Sequence, residues 1–120
     1  MGRSAGDSAI LLAVILNRSG LTRARVSGAT IKYVALRRNL RSAFVIEVID
    51  ALAEYHWTLF ELNGGGYGAV RTKTLEAAKS VTAKRLLTDD ERKGLRNGKL
   101  KPAALEKEAN PEQDEPDEDE

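Results

Sequence analysis

Cysteine is absent from the 120-residue chain, and histidine occurs once, as His56. Without cysteine, the chain has no disulfide, thiolate zinc site or cysteine nucleophile, and a reducing cytoplasm is the expected compartment. One histidine does not build a multi-histidine metal site, although a carboxylate site stays open. The remaining side chains do not combine into a nucleophile, base and orienting group. We therefore expect a non-enzymatic, cytoplasmic protein with no cofactor.

Long hydrophobic runs are also absent. The longest apolar stretch, residues 9–16, is far shorter than the roughly 20 residues that cross a bilayer. It also lacks the basic start and small-residue cleavage site of a secretory signal. The sequence therefore predicts a protein with no membrane partner, and its length suits one domain with a modest core.

Acidic residues are missing from a long basic stretch. Residues 18–41, RSGLTRARVSGATIKYVALRRNLR, contain seven Lys or Arg and no Asp or Glu. Up to residue 102 the chain has 18 Lys/Arg against 9 Asp/Glu, a net charge of +9, whereas residues 103–120 have a net charge of −8. Because cations that contact phosphates release counterions, this split favours a nucleic-acid partner. The alternative is a solvated surface, although domains without a polyanion partner usually mix both charge signs.

The first predicted helix runs from Asp7 or Ser8 to about Arg18, and Gly20 suits the left-handed position that ends a helix. Its apolar side chains lie on most sides, so we expect it at the centre of the core. The residues that create this pattern are Ile10, Leu11, Val14 and Ile15, together with Leu12 and Leu16.

Two further helices are predicted before residue 56. The second, with Thr22 as a candidate cap, runs from about Ala24 or Thr30 to Arg38; its glycine and β-branched residues also suit an extended segment. The third is amphipathic and begins at Arg41 or Ser42. Its apolar face comprises Phe44, Val45, Val48, Ile49, Leu52 and Tyr55, and its polar face comprises Glu47, Asp50 and Glu54.

A β-hairpin is predicted after the third helix. Two apolar, β-prone runs, residues 57–62 and 67–72, flank Asn63-Gly64-Gly65-Gly66, which supplies the positive φ angles of a tight turn. A phosphate-binding loop is disfavoured because the Gly-x-x-x-x-Gly-Lys-Ser/Thr arrangement is missing. Tyr67 beside the turn either packs on the hairpin or stacks on a sugar or base.

The C-terminal third has weaker patterns. Residues 74–87 are expected to be helical in part, and Thr88 with Glu91 forms a capping box for a short helix that Gly98 closes. Beyond Pro102 the chain has little apolar content and is expected to be disordered. The predicted organisation is a flexible N-terminus, a folded domain, a helical extension and a disordered acidic tail, at residues 1–7, 8–73, 74–101 and 102–120.

The order of three helices and a glycine-tipped hairpin resembles the winged helix-turn-helix DNA-binding superfamily. The resemblance covers residues 8–72 and rests on RNLRSAFVIEVIDAL leading into WTLFELNGGGYGAVRT. It implies an α+β, mainly helical domain whose third helix enters the major groove while the hairpin, the wing, lies on the backbone or minor groove. The DNA-binding positions that it implies are Arg41 and Ser42 on the third helix, and Gly64, Gly65, Gly66, Tyr67, Arg71 and Lys73 on the wing.

Carboxylates on the third helix depart from that pattern. Glu47, Asp50 and Glu54 occupy the face that a reading helix turns towards DNA, and phosphates repel them. Only the first turn is therefore expected to touch DNA, and more contacts are assigned to cations that precede the helix. These are Arg18, Arg23, Arg25, Lys32, Arg37 and Arg38, and we expect Arg37, Arg38 and Arg41 to form the centre of the surface.

The leading functional hypothesis is a small protein that binds duplex DNA through its basic face and glycine-rich wing, as a transcriptional regulator or an accessory factor of a replicon or mobile element. RNA is less favoured, because three Tyr, two Phe and one Trp offer few stacking platforms.

The alternative is a protein-interaction adaptor that uses the acidic helix face and the acidic tail. That tail also has two other interpretations, as a solubilising segment or as a competitor for the basic residues. The first helix and residues 74–100 are candidate surfaces for a homodimer.

Overall fold

The computed structural model describes residues 2–111, and these form an α+β structure. The chain divides into two compact units, residues 1–78 and residues 79–120. The elements of the first unit are α1 (Ala5–Ser19), β1 (Arg23–Val26), α2 (Gly28–Ala35), α3 (Ser42–Ala53), β2 (Trp57–Glu61), β3 (Tyr67–Arg71) and α4 (Thr72–Glu76). None of the helices in the described part of the chain is long and apolar enough to cross a membrane.

The three strands form an antiparallel sheet in the order β1-β3-β2. Strand β1 was not predicted as a strand, and the prediction of a helix from Ala24 is wrong there. Its side chains alternate, so Val26 is buried while Arg23 and Arg25 are exposed, and its backbone pairs with β3, more than 40 residues later. Because this pairing is long-range, a local reading of residues 23–26 does not reveal it.

Helix α2 begins between the two starts that the sequence predicts, Ala24 and Thr30, and ends before the predicted Arg38. It begins after Ser27, not Thr22, and the Ser27 hydroxyl accepts a hydrogen bond from the Thr30 N–H at 3.1 Å. It ends before Arg38 because Leu36 adopts a left-handed conformation with φ 53°. Such a residue interrupts the helical repeat and turns the chain towards α3.

Helix α1 begins earlier than expected and buries only one face. Ser4 caps it by accepting the Asp7 N–H, and Gly20 ends it with φ 72°, as predicted. The expectation that α1 lies at the centre of the core is wrong for four of the six apolar residues on which it was based. Its core-facing residues are Ser8, Ala9, Leu12, Ala13 and Leu16, whereas Ile10, Leu11, Val14 and Ile15 are 36–44% exposed.

The N-terminal segment that the sequence predicts to be flexible is attached to α2. The Arg3 N–H donates to the Ala35 carbonyl at 2.8 Å, and the Arg3 guanidinium donates to the Val34 carbonyl at 2.8 Å. These two bonds satisfy carbonyls in the last turn of α2, which a helix end otherwise leaves without partners.

Helix α3 and the hairpin confirm their predictions. Helix α3 begins at Ser42 and buries Phe44, Val45, Val48 and Leu52, but Tyr55 lies beyond its end and is exposed. Trp57 at the start of β2 is fully buried. At the turn, Gly65 and Gly66 have φ angles of 104° and 79°, values that favour glycine over residues with a side chain.

The second unit contains only short helices in its described part. They are α5 (Ala83–Leu86), α6 (Asp89–Arg96), a 3₁₀ turn (Pro102–Leu105) and α7 (Glu106–Ala109). The capping box is confirmed, since the Thr88 hydroxyl accepts the Glu91 N–H and the Glu91 carboxylate accepts the Thr88 N–H. The sequence predicts disorder from residue 102, whereas residues 102–109 form helical turns with proline at the first position, where it suits a helix start. The rest of the predicted tail, residues 112–120, lies outside the described residues.

Candidate functional site

A basic hollow lies at the N-terminal end of α2, and we call it the hairpin hollow. It has a volume of about 510 Å³. Its walls are Arg25, Val26, Ser27 and Gly28 on one side and Leu62, Gly65, Gly66 and Tyr67 on the other. Arg25 is exposed, and Gly65 and Gly66, which have no side chains, contribute backbone atoms of the hairpin to the wall. In this hollow, a cation of β1 therefore lies beside the predicted wing.

A second basic hollow lies at the C-terminal end of α2, where the chain turns into α3; we call it the corner hollow. It has a volume of about 450 Å³ and is lined by Gly2, Leu36, Arg37, Arg38, Asn39 and Arg41. Arg38, Asn39 and Arg41 are exposed. Arg41 is the N-cap residue of α3, yet its side chain does not cap the helix. The first N–H groups of α3 are thus left without the side-chain acceptor that Ser4 and Ser27 supply to α1 and α2.

Helix α2 separates the two hollows, which lie at its two ends. Its eight residues correspond to a length of about 12 Å. Among the described residues, no Asp or Glu lines either hollow. The hairpin hollow thus has one arginine in its walls and the corner hollow has three, with α2 between them.

Arg37 does not join the exposed cations of the corner hollow. It is half-buried, its guanidinium donates to the Arg3 carbonyl at 2.9 Å, and it stacks 3.8 Å from the centre of the Phe44 ring. These contacts connect the N-terminal segment to α3. Arg37 therefore differs from Arg38: both line the corner hollow, but Arg37 also makes contacts within the fold, whereas Arg38 faces solvent.

Arg71 and Lys73, the cations predicted on the wing, lie away from the glycine turn. Arg71 is opposite Trp57 in the sheet register, so it is at the end of β3 away from the glycine turn. Its guanidinium donates to the Asn17 amide oxygen at 3.1 Å and lies 5.1 Å from the Trp57 ring centre, and the Trp57 indole N–H donates to the same oxygen. Lys73 is exposed on α4. The structure therefore does not bring Arg71 and Lys73 to the tip.

Tyr67 packs within the fold. It is buried opposite Glu61 and Val26 in the sheet. Burial raises the pKa of the Tyr67 phenol, and the negative charge of Glu61 raises it further. The ring in this position is not free to stack on a base, so the packing interpretation is correct.

The other predicted contact residues lie on separate surfaces. Lys32 is exposed on α2, Arg18 is exposed in the last turn of α1, and Ser42 is exposed at the start of α3. Arg23 and Arg25 share the outer face of the sheet with Phe60, whose ring covers Gly68 so closely that a Cβ there would lie 2.6 Å from it. The sequence analysis did not single out Phe60, although the alternation of β2 with a facing glycine is a signal that points to it.

His56 is exposed at the turn after α3, with φ 69°, and its carbonyl accepts the Thr72 N–H, so it marks a helix end as predicted. Within residues 2–111, no group of three His, Asp or Glu side chains is arranged to hold a metal ion.

Comparison with models of protein families, with curated proteins and with solved structures finds no match to the chain. The assignment of a site therefore depends on the geometry and charge of these residues alone.

Proposed function

We propose that residues 5–71 form a winged helix-turn-helix domain that binds duplex DNA. The element order α1-β1-α2-α3-β2-β3 and the strand order β1-β3-β2 support this, because they combine three helices with a sheet whose last two strands form a wing. A role as a transcriptional regulator or as an accessory factor of a replicon or mobile element is compatible with such a domain.

The observation that carries the proposal is the pair of basic hollows at the two ends of α2. Their spacing along the helix, about 12 Å, is similar to the width of the major groove. A duplex placed across α2 brings phosphates of its two strands to the two hollows. Arg25 meets one strand near the hairpin turn, and Arg38 and Arg41 meet the other.

The acidic outer face of α3 sets the mode of binding. Glu47 and Asp50 are exposed there, so deep insertion of the whole helix would bring carboxylates against phosphates. Contact is therefore limited to the first turn, with Ser42 as the residue nearest to base edges. Most of the affinity then comes from phosphate contacts, which do not depend on base sequence.

The test is a fluorescence-anisotropy titration of a labelled DNA duplex at several salt concentrations. Replacing both Arg38 and Arg41 by Ala is expected to weaken binding strongly and to lower the slope of log affinity against log salt by roughly 1.8, because each lost phosphate contact lowers it by roughly 0.9. The Arg25→Ala variant is expected to lower the slope by roughly 0.9.

A matched control removes two cations from the second unit. Lys79→Ala with Lys84→Ala changes the net charge as much as the Arg38 and Arg41 pair, and both lysines are exposed. An unchanged slope in this control is expected. If the slope of log affinity against log salt falls in the control but not in the arginine variant, the contacts lie in residues 79–101. If no binding occurs at low salt, the proposal of DNA binding is rejected. A duplex RNA of the same sequence, bound as tightly as DNA, would change the substrate class.

A protein-interaction adaptor is the second candidate, and Ile46 favours it. This side chain is 58% exposed on α3 and lies among Glu47 and Asp50. An apolar residue within an acidic helix face suits a basic amphipathic helix of a partner. The adaptor is tested by titrating a labelled basic amphipathic peptide. Saturable binding that Glu47→Lys and Asp50→Lys abolish supports it, and no binding rejects it.

A further inference from the structure

The side of α1 that faces away from the core is apolar and uncovered. Leu11 and Val14 lie on this side, with Ile10 and Ile15 beside them. Two residues from α2 and its end extend the surface, since Tyr33 is 82% exposed and Leu36 is 57% exposed. We call these six residues the α1 outer face.

The α1 outer face is large for a protein of this size. Its exposed side chains present an apolar surface on the order of 500 Å², near the upper end for the largest patch of a typical monomer. Part of it forms a groove between α1 and α2, lined by six apolar or aromatic residues, Leu11, Val14, Ile15, Tyr33, Val34 and Leu36, and by Arg3 and Arg18. Two such faces placed together would bury on the order of 1,000 Å², the area at which specific interfaces begin.

Leu36 gives a separate indication of contact. It adopts a left-handed backbone conformation, which glycine or asparagine enters at lower cost than leucine. Its side chain is mostly exposed, so burial within the described chain does not compensate for that cost. Contact with a second molecule at the groove would bury the exposed Leu36 side chain, which is part of the groove lining.

The charges on α1 indicate what covers the face. Asp7, Leu11, Val14 and Arg18 follow one another at helical spacings of four, three and four residues, so they form one stripe. Asp7 begins the stripe and Arg18 ends it, about 16 Å apart along the axis. Both are exposed, and neither has an ion-pair partner within residues 2–111.

This stripe is complementary to itself when it is reversed. If two α1 helices pack antiparallel about a two-fold axis, Leu11 and Val14 of both copies meet at the centre. Asp7 of each copy then faces Arg18 of the other, which creates two ion pairs. A parallel arrangement would instead bring like charges together at each end.

We propose that the α1 outer face is the interface of a symmetric homodimer with antiparallel α1 helices. The occupant of the face is a second copy of this chain. The inference does not depend on DNA binding, because the face shares only Leu36 with the corner hollow and none of the arginines proposed to contact DNA.

The first test measures the association of the full chain by sedimentation equilibrium. The unsubstituted chain is expected to dimerise, and the double variant L11E/V14E is expected to be monomeric. Both positions are exposed on a helix, and glutamate is a good helix former, so folding should persist. The control is Ile46→Glu, the same kind of change at a more exposed apolar residue on α3, which is expected to leave the dimer intact. A chain that stays monomeric at concentrations on the order of 100 µM, or a dimer that L11E/V14E does not weaken, overturns the proposal.

The second test uses charge reversal and mixing. D7R gives each copy two basic ends, and R18D gives each copy two acidic ends, so each variant alone is expected to dimerise about tenfold more weakly. In an equimolar mixture every facing pair is opposite in sign, and dimerisation is expected to recover. Misfolding of either variant does not produce such a recovery, and circular dichroism checks their helix content. A mixture that associates no better than the separate variants overturns the antiparallel arrangement.

Discussion

The two units of the chain differ in charge and in burial. Lys and Arg outnumber Asp and Glu by 10 to 6 in residues 1–78, whereas Asp and Glu outnumber Lys and Arg by 12 to 9 in residues 79–120. Every buried residue of the described chain lies in the first unit, and none lies between residues 79 and 111. Both units nevertheless contain well-capped helices, α2 at Ser27 and α6 at Thr88.

The difference shows that helix caps and a hydrophobic core are separate requirements. A helix cap needs a polar side chain three positions before the residue whose N–H it accepts. Such a cap therefore forms wherever the local sequence supplies that side chain. A core needs apolar residues from distant segments to face one another. Helices of four to eight residues without a core are marginal in water, so cooperative unfolding should report on the first unit.

The largest effect should come from matched leucine truncations. Leu52 on α3 is fully buried, whereas Leu95 on α6 is 53% exposed. Leu52→Ala is expected to lower the free energy of unfolding by about 2 to 5 kcal/mol through lost burial and a cavity. Leu95→Ala is expected to change it by less than about 0.5 kcal/mol. Urea unfolding followed by the fluorescence of Trp57 measures both, and equal losses would show that α6 belongs to the same cooperative structure.

An intermediate effect should separate two cations at the border of the first unit. Arg71→Ala removes a hydrogen bond to Asn17 and the stacking on Trp57, and is expected to cost about 1 to 2 kcal/mol. Lys73→Ala removes an exposed charge and is expected to cost less than about 0.5 kcal/mol. Thermal and urea unfolding of the two variants provide the comparison. If the Arg71→Ala variant stays folded and the slope of its log DNA affinity against log salt is lower, Arg71 contacts DNA as part of the wing.

The smallest effect should distinguish the two caps. Ser27→Ala is expected to lower the global stability by about 1 kcal/mol, because α2 is part of the core. Thr88→Ala is expected to reduce the helix content of residues 89–96, as seen by NMR chemical shifts, and to leave the urea midpoint of Trp57 fluorescence unchanged. A shifted midpoint in Thr88→Ala would contradict the separation of local and global stability.

Elements with strong local patterns were predicted well. Helix α3 has an amphipathic repeat over its whole length, the hairpin has a glycine-rich turn between two β-prone runs, and α6 has a capping box. The positive φ angles of that turn lie at Gly65 and Gly66 and not at Asn63-Gly64. Strand β1 was missed because four residues carry too little periodicity to show a partner in β3. The buried side of α1 was misjudged because apolar residues on most sides do not indicate which of them meet α3.

The candidate site was predicted in part. The sequence drew attention to the basic run between residues 18 and 41, and the structure places Arg25, Arg38 and Arg41 from that run in the walls of two hollows. It did not distinguish Arg37 from Arg38, since the two are adjacent and of the same type. The difference between them comes from the Arg3 carbonyl and the Phe44 ring, which approach Arg37 only in the folded chain.

By itself, the sequence determined the α6 capping box, the end of α1 at Gly20, the α3 repeat, the hairpin turn and the charge of each segment. These properties depend on residues within a few positions of one another, so the chain specifies them wherever it folds. The tertiary structure alone decided that residues 23–26 form a strand, that Ile10 and Leu11 face outwards, and that Arg71 is held by Asn17. Each of these depends on a surface or a partner that distant parts of the chain provide, because burial and strand pairing are decided where segments meet in space.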